Sequence, residues 1–463
     1  MLTSYLILPF IFAILIGIST FLKNPIYIRK IGQVFCGIQF IFSLILLFFT
    51  QNPDSGIELN EYNKLLMFIS SLIFFLFSII SKNFILKLHR TFFATSFLWF
   101  GLINFALIVD NIFVLLIVLF WLFLIKYFLS RAFCEKNLKK DIKLELTNSI
   151  LWLFVGTSLI CKDFIRYFLI NDISLDFSKL TYTIYKIDDS SVILAFFGFL
   201  IIIFKLFNLI PFASKNYSLS NQNNVFINSL GTIWFLILGS SLFMKCYTIF
   251  DYLFYDFEDI IAIFLILNFL AYLILLFKQK YLFKFLTCTL SLGLIIGIFS
   301  IFSFEDSCKS IFSYYSISLI LSYTLLAIIF TILKDKFKTD KIDEFKKITD
   351  NSKITQIFIC LSLLNIASVP FFTFFTSEML VLGMIFSTDY ERIILNIIPY
   401  ILILGIFGLS LVALNILYGI IIAPIEKPQN IIAFSNSQII VCIILAFAII
   451  AFGICPQYII NVL

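Results

Sequence analysis

Long apolar stretches alternate with short polar ones along the whole 463-residue chain. The apolar runs fall at 2–22, 31–50, 65–81, 91–109, 111–130, 146–161, 190–212, 226–250, 260–277, 285–304, 311–333, 354–388, 394–422 and 437–460. A helix needs about 20 mostly apolar residues to cross the hydrocarbon core of a bilayer. The pattern therefore predicts an all-α polytopic membrane protein of about fourteen transmembrane helices, with 354–388 read as one helix broken at Pro370. The longest polar connections, 131–145, 162–189 and 334–353, are too short to fold on a core of their own. A single membrane domain, 1–463, is expected: spans 1–3 within 1–90, five spans in 91–250, five in 257–425 and a last span in 437–463. The first run begins at once, with no basic segment before it and no small-residue cleavage motif, so it reads as a retained span.

Charge distribution supports this count. Cytoplasmic loops of membrane proteins retain Lys and Arg. When the connections are sorted alternately, the set starting at 23–30 holds 23 of the 33 basic residues, and the other set holds 17 of the 27 acidic ones. One span too many or too few would scramble that alternation. Both termini are then expected on the outer side, with the connection 334–353 (Lys334, Lys336, Lys338, Lys341, Lys346, Lys347 and Lys353) inside and Asp54, Glu58 and Glu61 outside.

Composition removes other classes. At 61% hydrophobic and 13% charged, the chain lies far from the ~25% charged residues of soluble domains, which excludes a soluble enzyme, a disordered chain and a nucleic-acid-binding domain. The nine cysteines never form C-x-x-C, so neither a disulfide framework nor a thiolate metal site is indicated. No phosphate loop or H-E-x-x-H motif occurs, and neither cofactor nor metal is expected in the chain.

Four charges remain inside apolar runs: Lys126, Lys205, Lys245 and Glu378. A charge at mid-bilayer costs at least ~2.5–3.5 kcal/mol on insertion scales, so each needs a partner, water or neutralisation. Lys205 lies six residues before Pro211, and Glu378 eight residues after Pro370. Proline removes a backbone donor and disfavours helix before it, so both runs are expected to break there and free carbonyls. Ionisable groups beside discontinuous helices line the ion path of transporters built from inverted repeats. Spans 4–8 and 9–13 each carry such a break at their fourth position, which implies two inverted five-helix repeats, although no residue-level self-similarity is apparent between them. Simpler readings stand beside these. Lys205 can be a helix-end lysine that snorkels, and Glu378 a cap on the second half-helix. Lys245, near Asp251, suits snorkelling or a proton relay equally, and Lys126 suits snorkelling toward the basic inner loop. The sole histidine, His89, falls in a polar connection, which leaves no histidine relay through the membrane.

Three segments carry a family resemblance. SVPFFTFFTSE (368–378) resembles the GLPPFxGFxxE/K text of the antiporter-like subunits of respiratory complex I, with a short basic loop before it as in that family. FKLFNLIPFASKNY (204–217) resembles their xKxxxVPFHxWLPxA, and NIFVLLIVLFWLFLIKYFL (111–129) their NLLLFFLFWExMLIPxYFL. Glu378, where most types carry lysine, resembles the M-type. The resemblance covers roughly 91–425 and is strong only around 338–385.

The resemblance implies a proton-translocating membrane-arm subunit of an NADH:quinone oxidoreductase. Lys205 would be the lysine of the first broken helix, Glu378 the terminal carboxylate of the second, and Lys245 a relay lysine. Its partners would be other membrane-arm subunits and the lipid bilayer, with quinone-reducing, flavin and iron–sulfur subunits acting indirectly, in a bacterial inner membrane or the mitochondrial one. Leu122 stands where the family pairs a glutamate with the lysine, and the nearest charge, Lys126, has the wrong sign. The eleventh span keeps neither His nor Lys, only Ser313, Tyr315, Ser318, Ser322 and Tyr323. Two alternatives therefore stand: a non-conducting spacer subunit of the same complex, and a subunit of a cation/proton antiporter or membrane-bound hydrogenase complex.

Overall fold

The computed structural model of the chain describes residues 2–18, 25–49, 60–84, 89–133, 139–161, 176–177, 189–213, 224–303, 307–337, 341–342, 353–388, 393–421 and 434–460. Asp54, Glu58, Cys134, Lys215, Lys338, Lys346 and Lys347 lie outside the described residues. Helices α1 (Leu2–Ile18), α2 (Pro25–Phe49), α3 (Glu61–Phe84), α4 (His89–Ile108), α5 (Ile112–Ala132), α6 (Lys139–Ile160), α7 (Asp189–Leu206), α8 (Asn224–Ile249) and the short α9 (Asp251–Asp256) come first. They are followed by α10 (Glu258–Phe277), α11 (Leu282–Phe299) and a 3₁₀ turn (Ser300–Ser303). The rest are α12 (Cys308–Phe337), α13 (Lys353–Ile366), α14 (Thr373–Ser387), α15 (Ile393–Ile421), α16 (Asn436–Ile454) and α17 (Pro456–Ile460). Among the described residues there are no strands, only two isolated bridges.

Each of the fourteen apolar runs has helix among its described residues; the run 190–212 leaves the helix after Leu206, and the run 354–388 is divided between α13 and α14. In hydrocarbon each backbone N–H and C=O must be paired within its own segment, which is why apolar runs of this length become helices. Among the described residues eleven helices are long and apolar enough to cross a membrane, and α1, α13 and α14 are shorter apolar ones. Helix α6 differs: its first two turns hold Lys139, Lys140, Asp141, Lys143 and Glu145. The protein is an all-α, multi-pass membrane protein.

The helices gather in two compact units, Met1–Phe254 and Tyr255–Leu463. In the first, α8 touches α3, α4, α5 and α7 and is buried along nearly its whole length. Around it an aromatic cluster packs edge to face, with Trp99 and Trp234 ring centroids 5.0 Å apart and Phe74 5.0 Å from Phe97. In the second unit α12 holds the corresponding interior place, against α11, α13, α14 and α16. Large apolar side chains face outward, among them Val34, Phe48, Leu267, Phe407 and Phe447, as expected of a surface in contact with lipid tails.

Helices extend past the apolar runs that announce them, so some charges assigned to loops are buried. Lys64, Lys334 and Glu258 are each less than 9% exposed. His89 opens α4 and is buried as well, rather than lying in an open connection. Their neighbours at the helix ends cover them, which no hydropathy window registers.

Candidate functional site

In the first unit, α7 ends in a turn built from its own backbone. Asn208 N donates to Lys205 O (3.1 Å) and Leu209 N to Phe204 O (2.9 Å), while Asn208 takes φ 60°. These are the two bonds of a Schellman ending, which satisfies the last carbonyls of a helix. The cis peptide Ile210–Pro211 follows. Lys205, 6% exposed, reaches past the turn and donates from Nζ to Phe212 O at 3.0 Å.

Helix α6 covers this turn. It meets α7 at Gly156 and Gly198, where a Cβ on either glycine would stand 2.7–2.8 Å from the other's carbonyl oxygen. That close approach brings the first half of α6 along the break: Trp152 packs on Phe212 (centroids 4.7 Å) and Asn148 Nδ2 donates to Ala213 O (3.5 Å). Farther toward its start, Glu145 accepts from Lys126 Nζ at 2.7 Å, in a pair 17% and 20% exposed. Glu145 also interacts electrostatically with Lys205.

Two expectations are corrected here. Glu145 is not a loop residue: the apolar run starts at Leu146, but α6 starts at Lys139. Lys126 does not snorkel to solvent; it is held by Glu145 and sits 5.0 Å from the Phe235 ring centroid. Leu122 is fully buried, and the carboxylate that meets Lys126 comes from α6.

Lys245 lies elsewhere in the unit. Its Nζ donates to Val109 O (2.7 Å) and lies over the Phe177 ring (5.3 Å), with Asp110 close enough to interact electrostatically. One turn earlier, Ser241 donates to Asn63 Oδ1 (2.7 Å), and Asn63 Nδ2 donates to Leu107 O (3.1 Å). Asp251, its neighbour in sequence, instead accepts from Tyr252 N (2.8 Å) at the start of α9.

The second unit repeats the turn. Ser368 N donates to Asn365 O (3.2 Å), Val369 N to Leu364 O (3.2 Å), and Ser368 takes φ 55°. Asn365 thus holds the position of Lys205, and Ser368 that of Asn208. The likeness over this turn is one of backbone, while the residues at the matched positions differ. Beyond Pro370 the chain resumes as α14, whereas 214–223 after Pro211 lie outside the described residues.

Glu378, on the second turn of α14, is fully buried. Ser368 Oγ donates to its Oε2, while Oε1 has no hydrogen-bond partner among the described residues. The Tyr315 hydroxyl on α12 is likewise buried without one, and it feels the Glu378 charge. Ser377 Oγ donates to Ser318 Oγ (3.1 Å), so α12 contributes hydroxyls to the region rather than an ion-pair partner. Ion pairs among the described residues include Lys64–Glu61 and Lys126–Glu145, and Glu378 is a member of neither.

No protein-family model and no curated protein matches the chain. Solved structures do. A chain of respiratory complex I from Thermus thermophilus with bound NADH superposes with a TM-score of 0.82 at 12% identity, covering 100% of this chain and 98% of that one. A chain of the membrane-bound sulfane sulfur reductase, an archaeal respiratory membrane complex, gives 0.77 at 13%, covering 100% and 96%. A chain of the Mrp complex from Dietzia sp. gives 0.75 at 12%, with all of this chain matched to 51% of that one. The fold of this protein is thus one shared by chains of respiratory complex I, the sulfane sulfur reductase complex and the Mrp complex.

Proposed function

We propose that the chain is a proton-translocating, antiporter-like subunit of the membrane arm of an NADH:quinone oxidoreductase, of M-type, in a bacterial inner membrane with both termini outside. In this reading 91–250 and 257–425 are inverted five-helix repeats. Redox chemistry belongs to quinone-reducing, flavin and iron–sulfur partners, and this chain holds and passes protons through Lys205, Lys245 and Glu378. The observation that carries the reading is the cluster Lys126–Glu145–Lys205. Glu145 pairs with Lys126 and lies within electrostatic range of Lys205, which itself bonds to Phe212 O, so with all three ionised the group carries one excess positive charge in a poorly solvated place. Release of a single proton removes that excess, and a charge arriving nearby shifts the balance. Glu378 supplies a second proton-holding group, with Ser368 supporting one oxygen.

The spacer alternative rested on the missing carboxylate at Leu122 and on the eleventh span's lack of His and Lys; Glu145 bears on the first, while α12 brings only hydroxyls toward Glu378. A subunit of a cation/proton antiporter or related respiratory complex stays the second reading, supported by the likeness to the sulfane sulfur reductase and Mrp chains. Purification from native membranes separates the two: co-isolation of flavin and iron–sulfur subunits is expected, and their absence overturns the oxidoreductase. In proteoliposomes of that complex, Glu378→Gln is expected to lower NADH-driven proton translocation about tenfold or more while the complex stays assembled. Unchanged translocation overturns the pump in favour of the spacer.

A further inference from the structure

We propose that the groove between α10 and α15 binds an anionic phospholipid. The two helices run side by side, so closely that a Cβ at Gly405 would clash with Phe269 and one at Gly408 with Leu273, with Phe277 beside it. Farther along, the glycines give way to Leu411 and Val412, the helices stop interlocking and a cavity of about 380 Å³ opens. That volume is within the range of small-molecule sites. Leu276, Phe277, Leu411 and Ile416 form its apolar wall, Ile342 lies at its base and Lys280 stands at its polar end.

Lys280 is fixed there by the backbone. Ile342 N donates to Lys280 O at 2.9 Å, and Tyr281 and Lys341 face each other in an isolated antiparallel bridge. The bridge brings the backbone of Lys341 next to Tyr281, and Lys278 is two residues before Lys280; of these lysines, Lys280 lines the cavity. The groove opens onto outward-facing Phe277, Phe407, Leu411 and Leu414, each more than 36% exposed. An apolar wall continuous with such a surface fits acyl chains, and a lysine at its end fits a phosphate headgroup. Both features occur together in a membrane lipid of negative charge.

The protein, purified from its native membranes in detergent, is incubated with phosphatidylglycerol or phosphatidylcholine, and retained lipid is counted by native mass spectrometry. Phosphatidylglycerol is expected to be retained about fivefold more strongly than phosphatidylcholine, the preference one lysine near an anionic headgroup confers. Lys280→Gln is expected to remove the preference, and Val412→Trp, which fills the cavity, to remove retention of both lipids. Equal retention of the two lipids by the unmodified protein overturns the proposal, as does a preference that survives both substitutions. A photo-cross-linker at Leu411 that captures a protein chain in native membranes, instead of lipid, overturns it too.

Discussion

The turns at 204–209 and 364–369 share one backbone solution and hold opposite charges. Each closes with the same pair of hydrogen bonds and a non-glycine residue at φ near 60°. At the matched position the first carries Lys205, whose amine is met by Phe212 O and approached by Glu145; the second carries Asn365. Its charged group, Glu378, comes from the next helix and is met by the hydroxyl of Ser368. The difference separates two tasks. Ending a helix inside a bilayer is backbone chemistry, and several side chains permit it. Which ion the ending holds depends on a single side chain and on what the neighbouring helix brings.

The sharpest way to break this contrast is Glu145→Gln. It leaves Lys126 without its carboxylate and removes the negative charge near Lys205, and loss of one member of a largely buried ion pair costs about 3 kcal/mol, seen as a lower midpoint of denaturant unfolding. A double substitution, Lys126→Met with Glu145→Leu, is expected to recover most of that stability while proton translocation stays impaired. Full recovery of translocation by the apolar pair would show that the cluster is structural.

The glycine crossing that delivers Glu145 can be tested separately. Gly198→Leu places a side chain against Gly156 O and Ile160 and is expected to cost ~1–3 kcal/mol by overpacking. Gly383→Ala in α14 meets nothing within 4 Å and is expected to stabilise by up to ~1 kcal/mol, since alanine is the better helix former. Equal melting shifts for the two would mean that α6 and α7 are not pressed together.

Effects smaller than that of Glu145→Gln belong to the turns. Asn208→Val is expected to cost about 1–2 kcal/mol, because a β-branched residue resists positive φ. Ser368→Gly suits its φ but removes the donor to Glu378, so it is expected to alter translocation with little change in unfolding midpoint. If the two substitutions changed stability and translocation in the same proportion, the two turns would not differ in the way described.

The helices were legible because fourteen apolar runs of bilayer length leave little other choice. Lys205 and Glu378 stood out as charges within such runs, and Pro211 and Pro370 marked the breaks. Glu145 did not stand out, since the apolar run begins one residue after it and a charged helical turn reads as loop. Lys126 suggested a free, snorkelling side chain because its partner is 19 residues away on another helix. The likeness of the two turns was hidden by one extra residue before Pro211 and by Lys205 standing where the other turn has Asn365.

What the sequence by itself determined was the class of molecule, the helices and the four charges inside apolar runs. Those properties follow from how each segment partitions between water and hydrocarbon, which is local and additive. Tertiary structure alone decided that Glu145 holds Lys126 and comes within electrostatic range of Lys205, that Lys245 serves the turn at Val109 rather than Asp251, and that Glu378 has a hydroxyl for a partner. Charge pairing depends on distances of a few ångströms between separate helices, and here those distances are set by two glycines and the packing around them.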